Sequence, residues 1–294
     1  MTSEVEIGSG KSARRAYSLD DIAIVPSRRT RDPHDVDVRW EIDAYDLDIP
    51  VLGSSAVVTS PAEAIAFGRA GALGILDLEG PWTRHEDPTG VDPAQVMDQP
   101  ISPELITERI REVKEAGVLA CASLRPQAVE EYAKHVLKAD LDLFAIHGRV
   151  VSAEHVSRSV EPLNLKRFIR EFEIPVIVGG CASYQAALHL MRAGAVGILA
   201  GVRGLPLATT IADAAGARMA HLVETGVYVH VIANGGIASG DDIAKAIACG
   251  ADAAVVDVPA AELAGAIDRL RREMASSGHE TVKEFQKADV VVVN

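Results

Sequence analysis

Eight short apolar runs punctuate the chain, at 49–53 (IPVLG), 73–76 (LGIL), 118–124 (VLACASL), 141–146 (LDLFAI), 175–179 (PVIVG), 196–201 (VGILAG), 228–233 (YVHVIA) and 253–256 (AAVV). Apolar runs of this length, without alternation, are expected of strands buried on both faces, as in a parallel sheet. Amphipathic stretches with helical spacing lie between them, among them 61–71, 102–117, 126–140, 183–195 and 239–251. Several open on Ser or Pro and close at Gly, which matches the chemistry of helix ends. Strand and helix alternating eight times predict an α/β fold, a (β/α)8 TIM barrel. A doubly wound open sheet of eight parallel strands would give nearly the same string.

The stretch 77–102 has four prolines and many charges and is too irregular for a core helix, so it is expected to form a long excursion over one mouth of the barrel. No internal repeat, low-complexity tract or linker divides the chain. The expected organisation is one domain: an N-terminal arm over 1–48 packing on the barrel, the barrel over 49–276, and a tail over 277–294 whose VVVV run adds a short edge strand.

Composition narrows the function. No apolar run approaches the roughly 18 to 20 residues of a membrane span, and the start has no apolar segment behind its charges, so a soluble cytoplasmic protein without membrane partners is expected. The net charge of -13 argues against a surface that grips nucleic acid through its phosphates. A small phosphorylated ligand is compatible with it, because backbone N–H groups in one pocket can hold an anion. Cys121, Cys181 and Cys249 are odd in number and far apart, which encodes neither a disulfide framework nor a CxxC metal site. The aromatic share of 4% suits helices packed closely on a sheet rather than an aromatic-lined groove.

Barrels carry their chemistry at the C-terminal ends of the strands. Those ends supply Ser54 and Ser55, Asp77 and Glu79, Arg125, His147 and Arg149, Gly179-Gly180-Cys181, Gly201 and Arg203, Asn234-Gly235-Gly236, and Asp257. Glycine pairs between strand and helix let backbone approach a ligand and leave N–H groups for an anion, or simply relieve strain in a tight turn. His147 is a candidate general base. Arg125, Arg149 and Arg203 can bind phosphate or a carboxylate, or serve as ion-pair partners in an acidic chain.

The segments YSLDDIAIVPSRRTRDPHDVD (17–37) and IANGGIASGDDIAKAIACGADAAVV (232–256) resemble the first segment and the last barrel block of the IMP dehydrogenase/GMP reductase family. The stretches 151–166 and 174–201 are similar to its actinobacterial IMP dehydrogenase-related paralogues. The resemblance spans nearly the whole chain and implies a barrel, usually a tetramer, holding a purine ribonucleotide at the strand ends. It also exposes departures. The family's loop ending in Cys-Thr-Thr-Arg supplies the thiol that attacks the purine; here GILAGVRG (197–204) runs directly into the helical pattern that contains Thr209 and Thr210. Asn234 stands where the family has an Asp for the ribose, and Asp257-Val258 where it has Gly-Ser for the phosphate. The flap and the CBS insert are missing.

These departures direct the functional expectation away from redox chemistry, and NAD(P) is not expected as a cofactor. The leading expectation is a non-redox transferase acting on a purine-like base or ribonucleotide. Its sharp form is phosphoribosyl transfer from phosphoribosyl diphosphate to a purine or deazapurine, with Mg²⁺ on Asp257 and Asp77, aided by Glu79, and His147 as base. The alternatives are a catalytically silent paralogue that binds nucleotide or hetero-assembles, and an NAD(P)-dependent IMP dehydrogenase or GMP reductase.

Overall fold

The computed structural model describes residues 4–158 and 161–293. Residues 1–3, 159–160 and 294, which belong to the expected arm, the 151–166 segment and the tail, lie outside the described residues.

The chain opens with an antiparallel hairpin of β1 (Glu4–Gly8) and β2 (Lys11–Arg14), then β3 (Ile22–Ile24), then a second hairpin of β4 (Trp40–Ile42) and β5 (Tyr45–Leu47). The barrel follows as β6 (Val51–Gly53), α1 (Pro61–Arg69), β7 (Leu73–Asp77), α2 (Pro93–Met97), α3 (Pro103–Glu115), β8 (Cys121–Leu124), α4 (Pro126–Lys138), β9 (Leu143–His147), α5 (Leu165–Glu171) and β10 (Val176–Cys181). It continues with α6 (Tyr184–Arg192), β11 (Gly197–Ala200), α7 (Leu207–Thr225), β12 (His230–Asn234), α8 (Gly240–Ala248), β13 (Ala253–Val256) and α9 (Leu263–Ser276). The chain then forms α10 (Val282–Phe285) and β14 (Val290–Val292). Strands β6 to β13 are all parallel and close into a barrel, β13 pairing with β6 through Ala254 and Val51. The open-sheet alternative is thereby excluded.

Local chemistry places the helices. Ser60, Ser102, Ser183 and Ser239 each accept an N–H from the first turn of α1, α3, α6 and α8, and Pro61, Pro103 and Pro126 occupy first helical positions where no N–H is needed. The strands are shorter at their starts than the apolar runs: VLACASL becomes a strand only from Cys121, and IPVLG only from Val51. The leading residues are the approach to the barrel floor, apolar for packing and largely outside the ladder.

Period-two alternation separates two cores. One set of side chains, including Ala122, Phe144, Val178, Ile198 and Val231, packs outward against the helices. The other fills the barrel: Leu52, Leu73, Ile75, Cys121, Leu143, Ala145, Ile177, Leu199, Ile232, Ala253 and Val255. The hairpin β4–β5 plugs the N-terminal end of that interior with Trp40, Ile42 and Leu47, and the Trp40 indole N–H donates to the Ile49 carbonyl at 2.9 Å. Below this floor Asp252, at the start of β13, meets Arg218 of α7 at 2.7 Å, with both side chains buried. The tail returns along the arm, β14 pairing antiparallel with β3 outside the barrel. Among the described residues no helix is long and apolar enough to cross a membrane.

Candidate functional site

Continuing the inward-facing register past the last apolar layer brings Ser54, Asp77, Ser123, His147 and Asn234 to the C-terminal mouth, where they line a cavity of about 380 Å³ together with Glu79, Arg125 and Arg149. That volume falls within the range of small-molecule sites. Gly179 at the end of β10 and Gly201 after β11 serve close packing and are absent from the cavity lining: a Cβ on Gly179 would lie 2.4 Å from Leu199 Cβ. Gly201 has a φ of +150°, and a Cβ there would lie 1.7 Å from the Asn234 carbonyl oxygen; only glycine lets the two strand ends approach this closely.

Asp77 and His147 both line this cavity, each half-buried. Burial pushes the Asp77 carboxyl above its ordinary value, partly offset by the Glu79 N–H that it accepts at 2.9 Å and by the neighbouring His147. Burial pushes His147 below its ordinary value, and only the Asp77 charge acts the other way. Asn234 Nδ2 lies 3.4 Å from His147 Nε2, close enough to orient the ring. Glu79 is tied up: its carboxylate accepts the Arg125 backbone N–H at 2.7 Å, Nε at 2.9 Å and Nη2 at 2.6 Å. Burial alone would raise its pKa, but these bonds outweigh burial and hold it below the usual range. Arg125 is therefore an ion-pair partner first.

The excursion 77–102 covers one side of this mouth. Arg84 and Met97 line the cavity from it, with Arg84 bonded to the carbonyls of Glu79 and Gln99, and Arg109 of α3 fastens the segment by donating to the carbonyls of Trp82 and Glu86. Arg84, Met97 and Ser123 were missed in the sequence reading. Ser123 was findable, since it lies two residues beyond the inward-facing Cys121.

The expected metal set does not assemble. Asp257 is exposed, accepts the Ser54 hydroxyl at 2.5 Å and is not part of the cavity lining to which Asp77 belongs, while Glu79 is spent on Arg125. No cluster of three or more His, Cys, Asp or Glu suited to a metal occurs among the described residues, so the donors expected for Mg²⁺ do not fit it as arranged. Gly235 and Gly236, both with positive φ, form the turn after β12 and are also absent from that lining; Ser55 lies at its edge, exposed. A larger open cleft of about 1080 Å³ lies at the opposite end of the barrel, beneath Trp40 and His230. It lies away from the strand C-termini, and the buried Asp252 on its wall is fully engaged.

The family model for the IMP dehydrogenase / GMP reductase domain matches residues 16–283. The chain belongs to the IMP dehydrogenase/GMP reductase family. An uncharacterized oxidoreductase of Mycobacterium leprae is 42% identical over 373 residues, covering 98% of this chain and 99% of the relative. That alignment is longer than the chain, so the relative holds stretches without a counterpart here. An inosine-5'-monophosphate dehydrogenase of Methanocaldococcus jannaschii is 37% identical over 160 residues, covering 49% of this chain and 30% of that protein. The crystal structure of an IMP dehydrogenase/GMP reductase-like protein from Corynebacterium glutamicum superposes with a TM-score of 0.89 at 37% identity, covering 98% of this chain and 97% of that one.

Against the family's thiol route, the three cysteines are placed for packing. Cys121 points into the barrel core, and burial pushes its thiol far up. Cys181 is buried against the helices and raised to about 12, and Cys249, before Gly250, to about 11. A nucleophilic cysteine needs the opposite environment. Thr209 and Thr210 have structural partners: Thr209 Oγ1 accepts the Tyr17 N–H at 2.8 Å, and Thr210 Oγ1 donates to the Pro206 carbonyl at 2.9 Å.

Proposed function

We propose that the C-terminal mouth binds a purine-like base or ribonucleotide and that Asp77 and His147 move a proton on it, in a reaction that uses no protein thiol. The observation that carries this reading is the pair of half-buried side chains Asp77 and His147 lining one cavity, the carboxyl raised and the imidazole lowered by burial. Family membership supports the ligand class.

Burial favours the neutral form of both groups. Neutral His147 accepts a proton from a ring N–H or a hydroxyl, and the Asp77 carboxylate stabilises the imidazolium that results; protonated Asp77 serves the reverse step. Asn234 Nδ2, 3.4 Å from His147 Nε2, orients the ring. Phosphoribosyl transfer is the sharper form of this chemistry, His147 taking the base proton as the ring nitrogen bonds to C1′ and diphosphate leaves with the electron pair. The geometry lends that form a base but, among the described residues, no assembled set of metal ligands. An NAD(P)-dependent reading rests on the relatives' names, and the cysteines do not fit its covalent route.

The test combines binding and turnover. Purine nucleotides are titrated by calorimetry, and purines or deazapurines are incubated with phosphoribosyl diphosphate and Mg²⁺, products being followed by chromatography and NAD(P)H by absorbance at 340 nm. Nucleotide binding, with conversion that needs His147 and leaves absorbance flat, is expected. NAD(P)-dependent absorbance change, or no affinity for any purine compound, overturns the proposal. Size-exclusion chromatography of the same preparation checks the tetramer that family resemblance suggests.

A further inference from the structure

The excursion between β7 and α3 has two parts that are held in different ways. Its neck is sewn to the barrel. The fully buried Thr83 hydroxyl donates to the Leu78 carbonyl at 2.7 Å, and the Ser102 N–H donates to the Thr83 carbonyl at 2.7 Å. Arg84 Nε donates to the Glu79 carbonyl at 3.0 Å, and Arg109 of α3 donates to the carbonyls of Trp82 at 3.2 Å and Glu86 at 2.6 Å. The Pro81–Thr83 turn lies against α3 itself. The outermost carbonyls gripped in this way are those of Glu86, by Arg109, and Gln99, by Arg84.

Residues 87–98, between those two points, form a tip without such ties. Among the described residues its hydrogen bonds all close within 85–99. The Thr89 N–H goes to Asp87 Oδ1 at 3.0 Å, the Val91 N–H to the Pro88 carbonyl at 3.2 Å, and the Ala94 N–H to Asp92 Oδ1 at 3.0 Å. Helix α2 rests on the Pro81–Thr83 turn of the neck, and Val96, though buried, belongs to neither core of the barrel. A segment bonded to itself and carried on its own neck can open as a unit while the barrel stays folded.

Met97 shows what the tip can close on. Its side chain is 47% exposed, yet it lines the same cavity as Asp77 and His147. A flexible, polarisable thioether left half in water at the edge of a cavity gains contact when a flat ring comes to lie against it. The tip also carries Asp87, Asp92 and Asp98 and no Lys or Arg, so it brings no countercharge to an anion.

We infer that residues 87–98 are a lid hinged beside Glu86 and Gln99, and that Met97 is its closing contact, laid on an uncharged ring held in the cavity. That the ring is a purine-like base rests on the proposed function; the lid rests on the neck and the tip. Closure removes water from around Asp77 and His147, whose proton transfer depends on their burial.

The test uses the full chain labelled with methyl-¹³C methionine, which has five methionines, the Met97 signal being assigned with Met97→Leu. Inosine is the probe, and calorimetry follows its binding. Saturating inosine is expected to move the Met97 methyl upfield through the ring current while Met191, Met219 and Met274 stay in place. Hydrogen exchange of the 87–98 amides should slow by about tenfold or more, with the neck unchanged. Met97→Ala should weaken inosine binding by roughly two- to tenfold, the scale of a sulfur–aromatic contact, at unchanged Tm. Inosine binding that leaves both the Met97 methyl and the tip exchange unmoved overturns the lid and leaves the functional reading in place. If inosine, adenosine and guanosine all fail to bind, the functional reading falls, and exchange in the ligand-free protein decides the lid. Tip amides that exchange together, about tenfold or more faster than those of the neck, keep the hinge; tip amides as slow as the neck overturn it.

Discussion

Replacing Arg218 by Met tests how the floor of the barrel is held. Arg218 Nη1 meets Asp252 Oδ2 at 2.7 Å, with side chains 7% and 6% exposed, so solvent screens the pair little. Asp252 also accepts the Tyr228 hydroxyl at 2.6 Å, the Val231 N–H at 2.8 Å, Gln286 Nε2 at 2.9 Å and Lys283 Nζ at 3.4 Å. It thereby joins the starts of β12 and β13 to α7 and α10. Removing one partner of a buried pair costs about 3 to 5 kcal/mol, because the other charge is left uncompensated. Four partners remain here, one of them a cation, so the lower end applies, about 3 kcal/mol. With an unfolding entropy near 2.1 cal/mol/K per residue, this corresponds to a fall in Tm of roughly 5 °C for a chain of this length.

The pH dependence separates loss of charge compensation from loss of packing. Burial would raise Asp252, but Arg218 and Lys283 outweigh it and hold the carboxyl below the ordinary range. A depressed folded pKa gives stability that is present above the unfolded value, near 3.9, and lost as pH falls through the folded one. In Arg218→Met burial prevails, the folded pKa rises above the unfolded value, and acidification then stabilises the variant. The gap between the two proteins must therefore narrow as pH drops from 7 toward 4. Urea unfolding at several pH values measures it. A gap under about 1 kcal/mol at pH 7, or one that stays constant across that range, refutes the reasoning.

Other consequences follow from the mouth and the core. His147→Gln should lower turnover by about 10² or more, and because burial depresses His147, the acidic limb of the kcat/KM profile should lie below the ordinary histidine value near 6.5; a limb at or above it would contradict the base assignment. Asp77→Asn removes the one influence that raises His147, so the His147 titration followed by NMR should move further down, and an upward or absent shift would break the couple. Ellman's reagent at pH 8 should leave Cys121, Cys181 and Cys249 unmodified in the native protein and react with all three in denaturant; rapid native labelling would return a thiol to consideration. Gly201→Ala, with its Cβ driven into the Asn234 carbonyl, should cost about 3 kcal/mol or more in chemical denaturation.

What the sequence disclosed about this molecule follows one rule, and so does what it concealed. The barrel was legible because eight apolar runs and the helices between them are local patterns. Asp77, His147 and Asn234 were legible because each lies two residues beyond an inward-facing core residue, Ile75, Ala145 and Ile232, so strand periodicity alone carries them to the mouth. Asp257 obeys the same count from Val255 yet ends outside the cavity. The ladder stops at Val256, the Asp257 N–H is drawn to the Ile237 carbonyl at 2.8 Å, and the carboxylate turns to Ser54. That turn, which no period encodes, carries Asp257 out of the cavity that Asp77 lines. In the sequence Glu79 and Arg125, 46 positions apart, are separate strand-end candidates and nothing marks Arg218 and Asp252, 34 apart; folding joins each pair. Charges already paired by the fold leave little for a ligand, so the residues that remain unpaired at the mouth define its chemistry. Among the described residues those are Asp77 and His147, which line the cavity, with Arg149 beside them.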